Sequence, residues 1–258
     1  MCRMVGYVGP AMAQAELWTG PPHSLHVQSY RPREMASGTV NADGFGAALW
    51  LDDGAPEPAL YRTAAPMWAD PNLGWISTRL RARAALAAVR SATPGMGFDL
   101  SSVQPFTHGR LGFVHNGFIE RFHRGPKRAI RHTIGIEAYE SVEGTSDSEH
   151  IFGLVLDEGH SARPEAAMAA ALARLRVVCD AERVKAVATV MLCDGEALYA
   201  CRWSAGGPEP ATLYAAAAGE GHCLASEPLD PAQPWLPIPP QHVVIARPGA
   251  ALRVEALR

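Results

Sequence analysis

Segments with strand character crowd both ends of the chain and helical segments lie between them, with no repeat or low-complexity linker to divide the two kinds. In 258 residues, within the span of one α/β or sandwich core, that order predicts a single domain of two sheets with helices packed outside. Residues 2–8 alternate as a strand and stop at Gly9-Pro10, which places Cys2 at a strand end. The run Asn41-Ala42-Asp43-Gly44-Phe45-Gly46 is a turn signal feeding a strand over 47–51. Asp70 as N-cap and Pro71 at the first helical position open a helix through about Leu80. The alanines of residues 83–90 favour a helix by propensity alone. Residues 109–114 read as a strand entering a turn at His115-Asn116-Gly117, and 121–144 show no clear period. Ser146 caps a helix beginning at Asp147 or Ser148, with Glu149 as the capping-box partner. A helix over 164–178 follows, then a strand over 184–193 that turns at Asp194-Gly195 into 197–203. Further strands fall at 213–217, 222–225, 243–246 and 251–254, with a proline-rich crossing over 228–240.

Composition narrows the function. With 48% hydrophobic and 19% charged residues and a net charge of −3, the chain reads as an ordinary soluble protein. The arginines at 79, 81 and 83, and those from 121 to 131, form short runs without a nucleic-acid-binding motif, so no nucleic-acid partner is expected. No apolar run approaches the ~20 residues of a membrane span, and the first residues lack the basic start and apolar core of a signal peptide. A cytoplasmic location without membrane association is expected. Five cysteines at irregular spacing fit reduced thiols. Cys193, Cys201, His222 and Cys223 match no paired zinc motif, so no metal and no cofactor are expected.

Position 2 carries the most distinctive chemistry. Removing Met1 would leave a thiol and a free amine on one residue, with ordinary pKa values of ~8.5 and ~7.7–8.0, a nucleophile and base that both titrate near neutral pH. An Asn-Gly pair is most often only a turn. Beside a nucleophile, the Asn116 amide and the Gly117 N–H form the donor pair that an oxyanion hole requires. Arg90 offers a guanidinium fork for a carboxylate, and Asp147 a carboxylate for an ammonium. One thiol, one cationic fork, one anion and one oxyanion hole together match a γ-glutamyl group.

Met1-Cys2-Arg3, Asn41 to Gly46, Arg90-Ser91-Ala92-Thr93, His115-Asn116-Gly117 and Thr145-Ser146-Asp147-Ser148-Glu149, in this order, resemble the class II glutamine amidotransferases of the N-terminal nucleophile hydrolase superfamily. Pro21-Pro22-His23-Ser24-Leu25, the stretches at 64–73 and 88–95, and Ala225-Ser226-Glu227-Pro228-Leu229 look like the branch that hydrolyses γ-glutamyl-hercynylcysteine sulfoxide in ergothioneine biosynthesis. The resemblance implies an α+β, four-layer αββα sandwich over 2–258, in which 84–90 is a strand despite its alanines. It implies Cys2 as nucleophile, its freed amine as base, and Asn116 and Gly117 as oxyanion hole. Arg90 and Thr93 would hold the glutamyl α-carboxylate, and Asp147 the α-amine. The implied partner is a small γ-glutamyl molecule; oligomeric state is left open. The chain has no room for a synthase domain, which favours free hydrolysis over ammonia transfer. A hercynyl leaving group carries a trimethylammonium, for which Trp18, Trp50, Trp68 and Trp75 are candidate cation-π partners; one of them should line the pocket beyond Cys2. The alternatives are a glutaminase or broader γ-glutamyl peptidase of the same fold, and a sensing module that binds without turnover.

Overall fold

The computed structural model describes residues 1–35, 37–92, 100–159 and 163–257. In chain order its strands are β1 (Arg3–Ala13), β2 (Phe45–Leu51), β3 (Ala59–Thr63), β4 (Arg81–Val89), β5 (Phe106–His108), β6 (Leu111–Ile119), β7 (Ala186–Cys193), β8 (Leu198–Ala205), β9 (Tyr214–Ala218), β10 (Gly221–Ala225), β11 (Leu236–Pro237), β12 (His242–Ala246) and β13 (Arg253–Ala256). Its helices are α1 (Ala15–Trp18), α2 (Leu25–Tyr30), α3 (Leu73–Arg79), α4 (Pro126–Thr133), α5 (Ile136–Glu140), α6 (Asp147–Asp157) and α7 (Pro164–Glu182). The strands form two antiparallel sheets, one ordered β11-β9-β10-β1-β4-β2-β3 and the other β13-β12-β8-β7-β6-β5.

Period-2 alternation sorts the side chains into layers. On β1, Met4 and Val8 enter a core shared with Val114, Met191 and Leu198 of the second sheet. Val5 and Tyr7, on the opposite face, pack with Leu17, Trp18 and Leu25 of α1 and α2. The outer face of the second sheet buries Ala188, Val190 and Tyr199 against Leu154 of α6 and Met168 and Leu172 of α7. Three cores between four layers are the αββα sandwich that the resemblance implies.

The alanine-rich segment is β4, at the centre of the first sheet. Its Ala84, Leu86 and Ala88 face the inter-sheet core, and Ala85, Ala87 and Val89 face the helices. Hydrogen-bonded neighbours on both sides satisfy its backbone, and burial on both faces outweighs the weak helical preference of alanine. Trp50, opposite Ala84 in register, fills volume that the small side chain leaves.

Several boundaries move. β1 runs past Gly9-Pro10 to Ala13, with a register shift between Val8 and Met12 that accommodates the proline. Asp70 accepts from Asn72 N at 2.9 Å and from Tyr61 Oη, so it closes a turn just before α3, whose N-cap is Asn72. Residues 121–144 contain α4 and α5, each too short for a readable period. The expected turn at His115-Asn116-Gly117 is strand: β6 stays paired with β7 from Gly112 through Ile119. Gly117 is needed for close approach instead, because a Cβ there would collide with the Val187 carbonyl oxygen. Ser146 does cap α6, accepting from Glu149 N at 3.2 Å. The Glu149 carboxylate, however, takes the backbone N–H groups of Glu143 and Gly144.

Candidate active site

The first sheet's registers bring three strand ends together. Arg3 and Phe45 both pair with Val89, so the residues just beyond these pairs, Cys2, Gly44 and Arg90, converge. Arg90 N donates to Gly44 O at 2.9 Å and Asp43 N to Arg90 O at 3.0 Å, while the Asp43 carboxylate accepts from Ala92 N at 2.6 Å. Gly44 has φ +125°, a left-handed-side conformation that glycine tolerates best. The turn signal at 41–46 therefore sets the course of the chain through Arg90, whose side chain is buried.

Cys2 is nearly buried at one wall of a cleft of about 590 Å³. Ser91 and Ala92 continue that wall, Gly117 and Ile119 come from β6, and Asp147 comes from the start of α6. Asn116, next to Gly117, is fully buried, and neither atom of its side-chain amide has a hydrogen-bond partner among the described residues. Gln104 prolongs the edge beyond β5: its Nε2 donates to His115 O at 2.9 Å, and its Oε1 accepts from His115 N. That side-chain amide replaces a neighbouring strand and fixes β6 just before Asn116.

Asp147 is placed by its own acceptor bonds. Oδ2 accepts from Ile119 N at 3.0 Å and Oδ1 from Ser148 N at 2.8 Å, where the helix N-terminus also favours negative charge. Behind it, Ser148 Oγ pairs with His115 Nδ1 at 2.8 Å; burial pushes the His115 pKa down although the Asp147 charge pulls the other way. His150, one turn along α6, is held as the Nδ1–H tautomer. It donates from Nδ1 to Ser146 O at 2.7 Å and accepts at Nε2 from Arg131 Nε at 2.9 Å. Burial pushes its pKa down to about 4 from 6.5. As pH falls below ~6.5 the unfolded chain takes up a proton that the folded chain refuses. His150 should therefore contribute full stability above that value and progressively less down to about 4. Urea midpoints measured against pH should fall on this limb, and His150→Gln should flatten it.

Met1 precedes Cys2 in the same cleft, its amine donating to Ser37 O at 3.1 Å. Burial pushes that amine's pKa down, with the Arg3 charge adding to the effect against Cys2 and Asp43.

Of the residues singled out from sequence, Cys2, Gly117 and Asp147 line one cleft, and Arg90 and Asn116 are buried one residue from lining positions. Thr93 lies outside the described residues. The tryptophan expectation fails. Trp18 and Trp50 are core residues, Trp68 and Trp75 are exposed elsewhere, and none of the four lines the cleft. Sequence reasoning also missed Ser37, Gly38 and Phe118 as lining residues; a loop and a strand position without a motif gave no signal. Cys193, Cys201 and Cys223 lie in three different cores.

A family model described as glutamine amidotransferases class-II matches residues 15–205. The chain belongs to this class II glutamine amidotransferase family. A γ-glutamyl-hercynylcysteine sulfoxide hydrolase of Mycobacterium tuberculosis is 33% identical over 253 residues, covering 98% of this chain and 96% of its own. A protein of the same name from Mycolicibacterium smegmatis is 33% identical over 247 residues, 96% of each chain. Among solved structures, a glutamine aminotransferase class-II domain protein from Silicibacter pomeroyi superposes with TM-score 0.73 at 24% identity, both chains covered in full. Glutamine phosphoribosylpyrophosphate amidotransferase of B. subtilis gives TM-score 0.70 at 17% identity, covering all of this chain and 49% of that one. These likenesses confirm the N-terminal nucleophile hydrolase fold, and the family makes this amidotransferase-like chain an enzyme of C–N amide hydrolysis. No described helix is long and apolar enough to cross a membrane.

Proposed function

We propose that the protein, once freed of Met1, hydrolyses a γ-glutamyl amide through a Cys2 thioester. The substrate we assign is γ-glutamyl-hercynylcysteine sulfoxide, after the relatives that match nearly the full chain. One observation carries the catalytic reading: Cys2, Gly117 and Asp147, from three separate parts of the chain, share one cleft beside a buried Asn116 amide with no hydrogen-bond partner among the described residues.

In this scheme Arg90 and Thr93 bind the α-carboxylate and Asp147 the α-ammonium, so the γ-carbonyl rests over the thiol. Fixing both charged groups turns encounter into positioned attack. The Cys2 amine takes the thiol proton and the thiolate adds to the carbonyl carbon. Asn116 and Gly117 N–H hold the resulting oxyanion. As the C–N bond breaks, the amine returns its proton to the departing nitrogen. Water then attacks the thioester, glutamate leaves and the thiol is restored.

Glutamate release from glutamine, glutathione and γ-glutamyl-hercynylcysteine sulfoxide, compared as kcat/KM, tests the substrate assignment. The hercynyl substrate should lead by at least an order of magnitude. Equal or better rates with glutamine or glutathione would instead identify a glutaminase or a broader γ-glutamyl peptidase.

A further inference from the structure

Three stretches that the reaction scheme leaves without a role meet at one point. Arg3 follows the nucleophile, His23 lies in Pro-Pro-His-Ser-Leu, and Glu227 lies in Ala-Ser-Glu-Pro-Leu; all three side chains are at most 2% exposed. Glu227 Oε1 faces Arg3 Nε at 2.9 Å and accepts from Glu34 N at 3.1 Å. Oε2 pairs with His23 Nε2 at 2.6 Å and accepts from Arg33 N at 2.9 Å. One carboxylate thus gathers three hydrogen-bonded partners and one ion pair from three parts of the chain. Burial resists its ionisation, yet these hydrogen bonds and the Arg3 charge hold its pKa below the usual carboxylate value.

What the carboxylate ties together is specific. Arg3 is bonded through one peptide to Cys2. Arg33 and Glu34 open the segment whose Ser37 and Gly38 line the active-site cleft and whose Ser37 carbonyl receives the N-terminal amine. Ser226 closes the third side, donating its N–H to Met4 O at 2.9 Å and accepting from Met4 N at its Oγ at 3.0 Å. The Arg3 contact is an ion pair without an aligned hydrogen bond, and neither terminal nitrogen of Arg3 has a hydrogen-bond partner among the described residues. Its charge is therefore compensated mainly through Glu227, a costly arrangement for a buried ion located one residue from the nucleophile.

We infer that Arg3, Glu227 and His23 form a positioning cluster that seats the Cys2 thiol and amine against the Ser37 and Gly38 wall of the cleft. The inference rests on Cys2 being the nucleophile. The cluster also sets the field at the amine. At the Met1 amine, the Arg3 charge favours the free form, and Asp43, in the segment before β2, favours the charged one. Arg90, Glu120, Arg121 and Asp147 bound the same cleft or lie beside it. Carried one residue on to the Cys2 amine that processing frees, the same sign has Arg3 favouring the free form, with Glu227 offsetting Arg3 through their ion pair.

Opposite changes to the pair should therefore move the enzyme in opposite directions. In Arg3→Gln the acid limb of the kcat/KM profile should move to higher pH, and in Glu227→Gln to lower pH. Loss of seating should lower kcat on the order of 10- to 100-fold, with KM changed far less. His23→Gln, which keeps a donor in place of the ring, should give a smaller loss and serves if either charge variant does not fold. Each variant needs an intact mass confirming Met1 removal and a melting temperature confirming the fold. The rate of Cys2 alkylation against pH, mapped on the N-terminal peptide, reads the same displacement without any substrate. Burial pushes the Cys201 and Cys223 thiols up to about 12, which keeps them out of the readout. Opposite displacements with reduced kcat support the cluster. Folded, processed variants with unchanged kcat and profile, or with both profiles displaced the same way, overturn it. A wild-type protein that alkylates at Cys2 but releases no glutamate would instead count against the proposed reaction.

Discussion

Cys2→Ala should reduce glutamate release by about 10⁴-fold or more, because losing a covalent nucleophile typically removes nearly all of the chemical acceleration. The fold should survive. Cys2 caps the end of β1 rather than filling a core, and an alanine needs no new space there. Retention of Met1 should be as damaging as loss of the thiol, since it moves the free amine one residue away from the sulfur. In the unprocessed chain that amine is already bonded to Ser37 O at 3.1 Å. Purified Cys2→Ala protein and protein with Met1 retained, assayed at equal concentration with intact masses in hand, check both statements. Substantial turnover by either would remove the N-terminal thiol from the mechanism.

Asn116→Ala should lower kcat by ~100- to 1000-fold, the usual consequence of deleting one oxyanion donor, while KM moves little. Asn116 is fully buried at a paired position of β6 opposite Thr189. Its amide nevertheless finds no hydrogen-bond partner among the described residues. A buried amide without partners costs stability, so the alanine variant should be no less stable than the parent. That combination separates a catalytic donor from a structural one. A variant that loses stability together with activity would point to packing instead. Initial rates over a substrate range and urea midpoints measured on the same preparation distinguish the two.

The architecture was legible where burial pattern and turn chemistry agreed. The hairpin at Asp194-Gly195 and the cap at Ser146 are local devices, and the structure retains both. β4 was illegible from propensity. Its alanines are selected by two packed faces and two neighbouring strands, none of which is visible in a local window. His115-Asn116-Gly117 misled for a related reason: Gly117 answers to the Val187 carbonyl of β7, some seventy residues away in sequence. Cys2, Arg90 and Asp147 were singled out because their chemistry is complementary to a γ-glutamyl group; Cys2 and Asp147 line the cleft and Arg90 is buried beside it. Glu227 was not assigned a role, because its meaning comes from three hydrogen bonds and an ion pair that only the folded chain assembles. The indoles were weighed for their chemistry, but packing claimed Trp18 and Trp50 first.

The central claim is that the residue exposed by Met1 removal carries the glutamyl group during turnover. Its most direct test is mass spectrometry of enzyme quenched in acid during turnover of the γ-glutamyl substrate. The scheme predicts one glutamyl increment on the N-terminal peptide that begins at Cys2, absent from Cys2→Ala. Continued glutamate release by a chain that keeps Met1, or an increment on any other peptide, would contradict it.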